Sequence, residues 1–300
     1  YKKHINHIYS YPFIGKDDLG GFSNIAPINN IYFYSYARYA LYYGLKYYGV
    51  KKGDKVLLPS FICREFLSGI NSIGATPVFY DVNKKLEPID LSDKYYDCKA
   101  IIAVNYFGFP QDLKPFKKFC KRTNSILIED NAHGFLSYDE LGRLLGTRGN
   151  IGIFSFRKTI PVNYGAGLYI DKRINRENFL YFILPQNHNN IYLFLRSLFR
   201  NLFPIIGIAG IKLFTYTIRK IRKIRTGKYF PESDENAETI LPYIKSPPLD
   251  LLKKLDHLNI KDESNRRREL YLWLHNIIVE SGGEPVFDEL IKGCVPYGFP

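Results

Sequence analysis

The sequence predicts an α/β protein with a mainly parallel central sheet. Apolar runs of strand length alternate with amphipathic segments of helix length from about residue 35 to residue 170. The strand-like runs are almost continuously apolar, which is typical of parallel strands covered on both faces. The chain has 300 residues, of which 46% are hydrophobic, so it can bury the core that such a sheet needs.

The predicted elements follow one another in a regular order. SYARYALYYGLKYYGV predicts a helix that ends near Gly49. The next segments predict a strand in KKGDKVLLPS, a helix in ICREFLSGINSIG, strands in TPVFYDV and CKAIIAVNYFG, a helix in DLKPFKKFCKRT, and strands in NSILIEDNAHG and IGIFSF. In DLKPFKKFCKRT, Leu113, Phe116 and Cys120 share one helix face.

The alternation ends after about residue 180. Residues 190–228 mix apolar side chains with arginine and lysine. This pattern fits helices packed on the large domain or across a dimer, and it also fits a basic amphipathic segment in a membrane interface. We favour the packed helices, because the membrane pattern is not specific.

A polar, proline-bearing connector, KYFPESDENAETILPYIKSPP, then precedes a stretch that predicts one long helix, LDLLKKLDHLNIKDESNRRRELYLWLHNIIVESGG. We expect a large domain over residues 1–235 and the start of a smaller C-terminal α/β domain over residues 236–300. The chain has no methionine, and its last residues, VPYGFP, resemble the opening of a strand. We therefore expect a fragment that lacks both ends.

Cysteine usage and charge limit the class of protein. The four cysteines show no CxxC or Cys/His pairing, so the sequence predicts neither a metal site nor a disulfide framework, and a cytoplasmic location fits best. The first residues lack the apolar core of a signal peptide, and no run reaches the roughly 18 to 20 apolar residues of a membrane span. The formal charge of +13 favours an anionic partner, such as a phosphorylated substrate, nucleic acid or a membrane surface, but a lysine-rich solvated surface explains it nearly as well. We predict no nucleic-acid partner.

The stretch FSFRKTIPVNYGAGLYI places Lys158 at the end of one apolar run and ahead of another. Asp130 ends a different apolar strand, and His133 follows three residues later. Because the ends of parallel strands converge, a carboxylate and a lysine can meet over one pocket, as pyridoxal phosphate chemistry requires. The alternatives are structural: Lys158 as a solvated residue at a strand edge, Asp130 as a turn cap and His133 as a half-buried histidine.

Taken together, the motifs resemble the DegT/DnrJ/StrS-type sugar aminotransferases, which are pyridoxal phosphate enzymes of the aspartate aminotransferase fold (fold type I). The resemblance covers about residues 30–170 and again about 250–300. The matching segments, in order, are YARYAL, GVKKGDKVLLPSF, GATPVFYDV, AIIAVNYFGFPQDL, IEDNAH and NIGIFSFRKTIPVNYGAG, and NRRREL is similar to a later helix of the family.

The resemblance implies a role for each residue of the lysine and aspartate motifs. Lys158 would hold the cofactor as a Schiff base and move the proton between substrate and cofactor. Asp130 would pair with the pyridine nitrogen, and His133 would lie near the phenolic oxygen. Ser155 would contact the phosphate, although it precedes the lysine by only three residues, a shorter spacing than is usual in the family.

The resemblance also implies a phosphate site at the start of the first helix, made by the backbone of Ala37, Arg38 and Tyr39. Arg38 replaces a small hydroxyl residue, and it either pairs with the phosphate or lies on the surface. Cys63 stands where many members have an aromatic residue stacked on the cofactor, so stacking is weaker here or comes from Phe61. The asparagine motif that a neighbouring subunit usually contributes is not recognisable before LDLLKKLDHL.

The function that the resemblance implies is amino-group transfer, with pyridoxal 5'-phosphate as cofactor, from glutamate to a nucleotide-linked keto sugar, for polysaccharide or glycoside biosynthesis. The protein would be a homodimer. Two alternatives remain: a sugar dehydratase that uses the same cofactor, and a non-catalytic binding or scaffold protein at the membrane surface.

Overall fold

The computed structural model describes residues 21, 30–160, 162–171, 185–186, 210, 212–230 and 235–300. These residues form a seven-stranded sheet. Its strands are β1 (Ile31–Tyr34), β2 (Lys55–Pro59), β3 (Thr76–Tyr80), β4 (Cys98–Val104), β5 (Ile126–Asn131), β6 (Ile151–Phe154) and β7 (Ala166–Ile170). The strand order in the sheet is β1-β7-β6-β5-β4-β2-β3.

The sheet is mainly parallel, as predicted. Strands β3, β2, β4, β5 and β6 are neighbours that run parallel to one another. Strand β7 runs antiparallel to β6, and β1 pairs with its other edge, also antiparallel. The carboxyl ends of the five parallel strands therefore lie along one edge of the sheet, where ligands usually bind in such folds.

The helices with complete bounds are α1 (Ala37–Tyr47), α2 (Leu67–Asn71), α3 (Lys114–Thr123), α4 (Leu251–Asp256) and α5 (Ile260–Glu280), and residues 212–226 are also helical. Helix α1 ends before Gly49, whose φ of 75° confirms the predicted end of this helix. Within the described residues no helix is long and apolar enough to cross a membrane.

Three sequence predictions about the elements need correction. The single long helix from LDLLKK to SGG is two helices, because the side chain of Asn259 accepts the N–H of Asp262 at 3.1 Å and begins a new helix there. The helix predicted in ICREFLSGINSIG is a 3₁₀ turn, Arg64–Phe66, followed by the short α2. VPYGFP does not open a strand; Tyr297 donates a single backbone bond to the carbonyl of Phe107.

The core lies on both faces of the sheet, which explains the continuous apolar runs. Ile102 packs with α1 and α2 on one face, and its neighbour Ile101 packs with Phe116 and Phe119 of α3 on the other. Both isoleucines are fully buried. Cys120, predicted to share the buried face of α3, is only partly buried, and Phe119 takes its place.

The C-terminal residues pack against the sheet domain at several points. Leu251 and Leu255 of α4 join the apolar cluster that contains Phe154 and Phe156. The N–H of Ser35 donates to the carbonyl of Lys245 at 3.0 Å. The division into domains at residues 235 and 236 stays a prediction.

Within residues 190–228, residues 190–209 and 211 lie outside the described residues. Residues 212–226 form a helix, but Leu213 and Ile224 are 68% and 79% exposed. The sequence favoured helices packed on the large domain or across a dimer. In the described part of this segment, Leu213 and Ile224 are not buried on the large domain.

Candidate active site

A cavity of about 470 Å³ lies at the carboxyl edge of the sheet, between the ends of β4, β5 and β6 and the start of α1. Seven of the eight predicted site residues line it: Ala37, Arg38, Cys63, Asp130, His133, Ser155 and Lys158. Tyr39 does not. Its N–H donates to the carbonyl of Tyr36 at 3.0 Å, and its hydroxyl donates to the carbonyl of Pro242.

Lys158 ends a 3₁₀ turn, Phe156–Lys158, that directly follows β6. Burial lowers the pKa of its ammonium group, whereas attraction to the Asp130 carboxylate raises it; burial is the larger effect. A lysine with a lowered pKa is more often the neutral amine, which is the form that attacks a carbonyl group. The side chain is thus suited to covalent chemistry.

Two hydrogen bonds from backbone N–H groups fix Asp130 at the end of β5. Its carbonyl accepts the N–H of Asn105 at 3.0 Å, and its Oδ1 accepts the N–H of Ala132 at 3.0 Å. Burial raises the pKa of the carboxyl group, and Lys158 opposes this shift. Within the described residues the carboxylate accepts only this one hydrogen bond, so it retains acceptor positions for a ligand in the cavity.

His133 is neutral at pH 7. Burial, assisted by the charge of Lys158, lowers the pKa of its imidazole to about 4. The N–H of Phe107 points at Nδ1 at 3.4 Å, so the ring proton lies on Nε2, which can donate to an oxygen atom. Phe107 reaches this position in a left-handed backbone conformation, with φ 53° and ψ 13°, which non-glycine residues rarely adopt.

The start of α1 and the turn before Lys158 provide groups for an anion. Tyr36, the residue before α1, makes no side-chain cap, so the first N–H groups of the helix have no side-chain acceptor there. Ser155 is buried, and its hydroxyl has no hydrogen-bond partner in the part of the chain that the structure describes. The guanidinium groups of Arg38 and Arg157 lie 5.6 and 6.0 Å from the ring centroid of Tyr36.

Arg157 also lines the cavity, although sequence reasoning did not select it. Neither Arg38 nor Arg157 forms a salt bridge within the described residues. Arg157 stands directly before Lys158 in the sequence, and this adjacency was the available signal. Two unpaired arginines beside a helix N-terminus form a good setting for a phosphate group.

Cys63 and Phe61 lie in the segment that follows the carboxyl end of β2, and both line the cavity. The thiol of Cys63 donates to Oε2 of Glu65 at 3.0 Å, and its pKa is raised by burial and by that carboxylate. Phe61 lines the same cavity, and its carbonyl accepts the hydroxyl of Tyr106 at 2.7 Å. Phe61 is therefore available as the aromatic residue that Cys63 does not provide.

A buried ion pair below the site was missed by sequence reasoning. Glu129 and Arg148 have side chains that are 0% and 4% exposed, and Nη2 of Arg148 lies 2.8 Å from Oε2 of Glu129. Asn105 joins this pair to the cavity: its side chain donates to Glu129 at 3.2 Å and accepts from Arg148 at 3.0 Å. The network thus supports the loop that anchors the backbone of Asp130.

Tyr297 was also missed, because its segment was predicted to be a strand. Its backbone N–H donates to the carbonyl of Phe107 at 2.7 Å. Its ring stacks on His133, with centroids 4.6 Å apart and an interplanar angle of 5°, and lies 5.8 Å from Nζ of Lys158. The C-terminal segment therefore contacts two of the predicted catalytic residues.

These side chains fit pyridoxal phosphate. A buried carboxylate with open acceptor positions, Asp130, suits a protonated pyridine nitrogen, and the amine of Lys158 suits the aldehyde. Ser155, the start of α1 and the two arginines suit the phosphate. The fold and the cavity together define the class of protein. It is a fold type I domain with these groups at the carboxyl edge of its sheet.

Comparison with known proteins places the chain within that class. Residues 34–170 match the model of the DegT/DnrJ/EryC1/StrS aminotransferase family. The resemblance drawn from the motifs is thereby confirmed.

One curated relative is GDP-perosamine synthase of Escherichia coli O157:H7, which is 31% identical over 149 residues; these cover 48% of this chain and 41% of that protein. The chain therefore matches less than half the length of this relative.

Two solved structures have a similar fold. A DegT DnrJ EryC1 StrS aminotransferase from Brucella abortus superposes with a TM-score of 0.56 at 16% identity, covering 89% of this chain and 63% of that chain. The structure of GDP-4-keto-6-deoxymannose-3-dehydratase with bound GDP-perosamine superposes with a TM-score of 0.53 at 17% identity, covering 89% of this chain and 65% of that chain. At these identities the likeness concerns the fold alone.

Proposed function

We propose that the protein is a pyridoxal phosphate-dependent aminotransferase that transfers an amino group from glutamate to a nucleotide-linked keto sugar, for polysaccharide or glycoside biosynthesis. The observation that carries the proposal is the meeting of Lys158, Asp130 and His133 at one cavity, from the end of β5 and the turn after β6. The relative named GDP-perosamine synthase supports a nucleotide sugar as substrate.

When bound, pyridoxal phosphate supplies the electron sink that allows an amino group to leave one carbon and join another. The residues of this chain would bind and orient it. Lys158 Nζ would hold the aldehyde covalently and, when released, carry a proton to or from the substrate carbon. Asp130 would keep the proton on the pyridine nitrogen, and Nε2 of His133 would donate to the phenolic oxygen.

The phosphate would lie between the start of α1 and the turn at Ser155. The N–H groups of Ala37 and Arg38 would face it, and the guanidinium groups of Arg38 and Arg157 would add charge. Cys63 or Phe61 would cover the ring. This set uses no side chain of a second subunit.

We also propose a cytoplasmic homodimer. The scattered cysteines, none of which forms a disulfide in the described residues, support a reducing compartment. The match of residues 34–170 to the family model supports the dimer, which size-exclusion chromatography with light scattering would test.

A dehydratase is the second candidate, because one similar fold is that of a sugar dehydratase. Replacement of the lysine by histidine would mark one branch of such enzymes, and Lys158 is present here. Incubation with a nucleotide keto sugar and glutamate separates the two, since amination exchanges oxygen for nitrogen whereas dehydration removes water. Mass spectrometry of the product distinguishes these changes.

The first experiment is to trap the cofactor on the protein. The chain is incubated with pyridoxal phosphate, reduced with borohydride and digested, and the modified peptide is located by mass spectrometry. We expect the adduct on Lys158, its loss in Lys158→Ala, and its retention in Lys117→Ala, which changes an exposed lysine of α3. No adduct on the wild-type chain would refute the proposal and favour a binding or scaffold role.

Amino transfer is tested on chain that has been loaded with pyridoxal phosphate but neither reduced nor digested. Addition of glutamate should release 2-oxoglutarate in an amount equal to the bound cofactor, and Lys158→Ala should release none. If the adduct forms at Lys158 but no 2-oxoglutarate is released, the assignment of the cofactor stands and glutamate is refuted as the amino donor.

A further inference from the structure

The helix at residues 212–226 and the turn that follows it form a surface that the proposed function does not use. Residues 212–230 contain seven lysines and arginines and no aspartate or glutamate. We call residues 212–230 the basic segment.

The helix has two opposite faces. With 3.6 residues per turn, Leu213, Ile221 and Ile224 lie within about 80° of one another around its axis. Lys212, Arg219 and Lys223 lie on the opposite side. Leu213, Ile221 and Ile224 are 68%, 48% and 79% exposed, so the apolar face is open to solvent.

Three cations of the segment, Arg219, Arg222 and Lys223, contact the turn that follows the helix. Lys223 donates to the hydroxyl of Tyr229 at 2.8 Å, Arg222 donates to the carbonyl of the same residue at 3.2 Å, and Arg219 lies 5.0 Å from the ring of Phe230. No carboxylate of the described residues forms a salt bridge with Arg219, Arg222 or Lys223. Their charges are therefore available to an anionic partner.

The combination of faces selects one kind of partner. A second copy of the chain, packed through this surface by a two-fold axis, would bring its own seven cations against these seven. Nucleic acid would neutralise the cations but would leave Leu213 and Ile224 in water. A lipid surface with anionic headgroups satisfies both faces, because headgroups meet the cations and the acyl boundary meets the apolar side chains.

We propose that the basic segment binds an anionic lipid surface, with the helix lying in the plane of the membrane interface. This inference is independent of the proposed function. Lys and Arg near an anionic surface each strengthen binding by about fivefold, so the seven cations make the binding depend strongly on lipid charge and salt.

The test is sedimentation of the whole chain with lipid vesicles. We expect binding to vesicles of phosphatidylcholine mixed with phosphatidylglycerol and little binding to phosphatidylcholine alone. Raising the salt to about 1 M, where the Debye length falls to roughly 3 Å, should release much of the protein. Equal binding to both kinds of vesicle, or to neither, would overturn the proposal.

A charge variant identifies the segment. Arg219→Gln with Lys223→Gln should weaken binding roughly 25-fold, because two cations leave the surface. The matched control, Lys117→Gln with Lys118→Gln on α3, makes the same change in net charge at exposed positions and should bind like the wild type. Equal losses in the two variants would show that only total charge matters and would refute the assignment.

An apolar variant separates lipid from other anions. Leu213→Ser with Ile224→Ser keeps every charge and should weaken binding at least tenfold. The control, Ile89→Ser with Leu141→Ser, changes apolar residues that are 64% and 77% exposed and should have no effect. If the apolar variant binds like the wild type, the surface recognises charge alone; if instead it abolishes self-association, the surface is a contact between copies. Either result overturns the proposal.

Discussion

Removal of Arg148 should destabilise the fold far more than removal of a surface cation. Its backbone N–H lies 2.6 Å from Oε1 of Glu129, and its Nε and Nη2 lie 2.9 and 2.8 Å from Oε2. The carboxylate of Glu129 is fully buried. In Arg148→Met that carboxylate keeps backbone and amide donors but loses its only counter-charge among the described residues.

The expected loss of unfolding free energy follows from this burial. A buried charge that loses its partner costs about 3 to 5 kcal/mol. The neutral amide in Glu129→Gln can still accept the N–H of Gly146 and the amide of Asn105, which lie 3.2 Å from Oε2 in the wild type. The double variant Arg148→Met with Glu129→Gln should therefore lose about 2 kcal/mol less than Arg148→Met alone.

Urea unfolding at pH 7, followed by circular dichroism, measures these differences. Lys94→Met serves as the control, because it breaks an exposed pair with Asp90 and should leave the midpoint almost unchanged. A loss below about 1 kcal/mol in Arg148→Met, or no recovery in the double variant, would refute the idea that an unpaired buried carboxylate causes the destabilisation.

Three further predictions concern the site and the sheet. The pKa of His133 falls from 6.5 to about 4 on folding, so between these pH values the unfolded chain binds a proton that the folded chain does not. About 3 kcal/mol of unfolding free energy should therefore be lost as the pH falls from 6.5 to 4. His133→Asn should reduce this loss, as measured by urea titrations at several pH values. Tyr297→Ala should raise the pKa of His133 toward 6.5 in an NMR titration, whereas Tyr297→Phe, which keeps the stacked ring, should not; equal shifts would exclude the ring as the cause. Gly152→Ala should cost about 3 kcal/mol or more in thermal unfolding, because its Cβ would lie 1.7 Å from the carbonyl oxygen of Gly146, and Gly298→Ala, with nothing within 4 Å, should be neutral.

The sequence predicted the parts of the site that depend on strand ends. Asp130 and Lys158 stand where continuous apolar runs stop, and parallel strands bring such ends to one edge of the sheet. The order of motifs carried the family resemblance, and the mainly parallel sheet followed from the absence of alternation in the strands. These are local signals, and the structure places Asp130 and Lys158 at the same cavity.

The parts that were missed depend on contacts between distant residues or on short caps. Tyr297 stacks on His133 from the far end of the chain, and no local pattern distinguishes it from any other aromatic residue. The pair of Glu129 and Arg148 is hidden because a lone arginine in a loop usually lies in water. The break before α5 did have a signal, Asn259 followed by acidic residues, but the long apolar period outweighed it.

The pairing of β1 with β7 has a consequence for how the protein is made. Ile31 lies opposite Tyr169, and the N–H of Gly165 donates to the carbonyl of Ser35 at 2.7 Å. A strand formed early in synthesis must therefore wait for a partner translated much later, and such high contact order slows folding. Pulsed hydrogen exchange during refolding should therefore protect β4 and β5 before β1. We expect the start of α1 to reach its place at the cavity only after β7 has been translated.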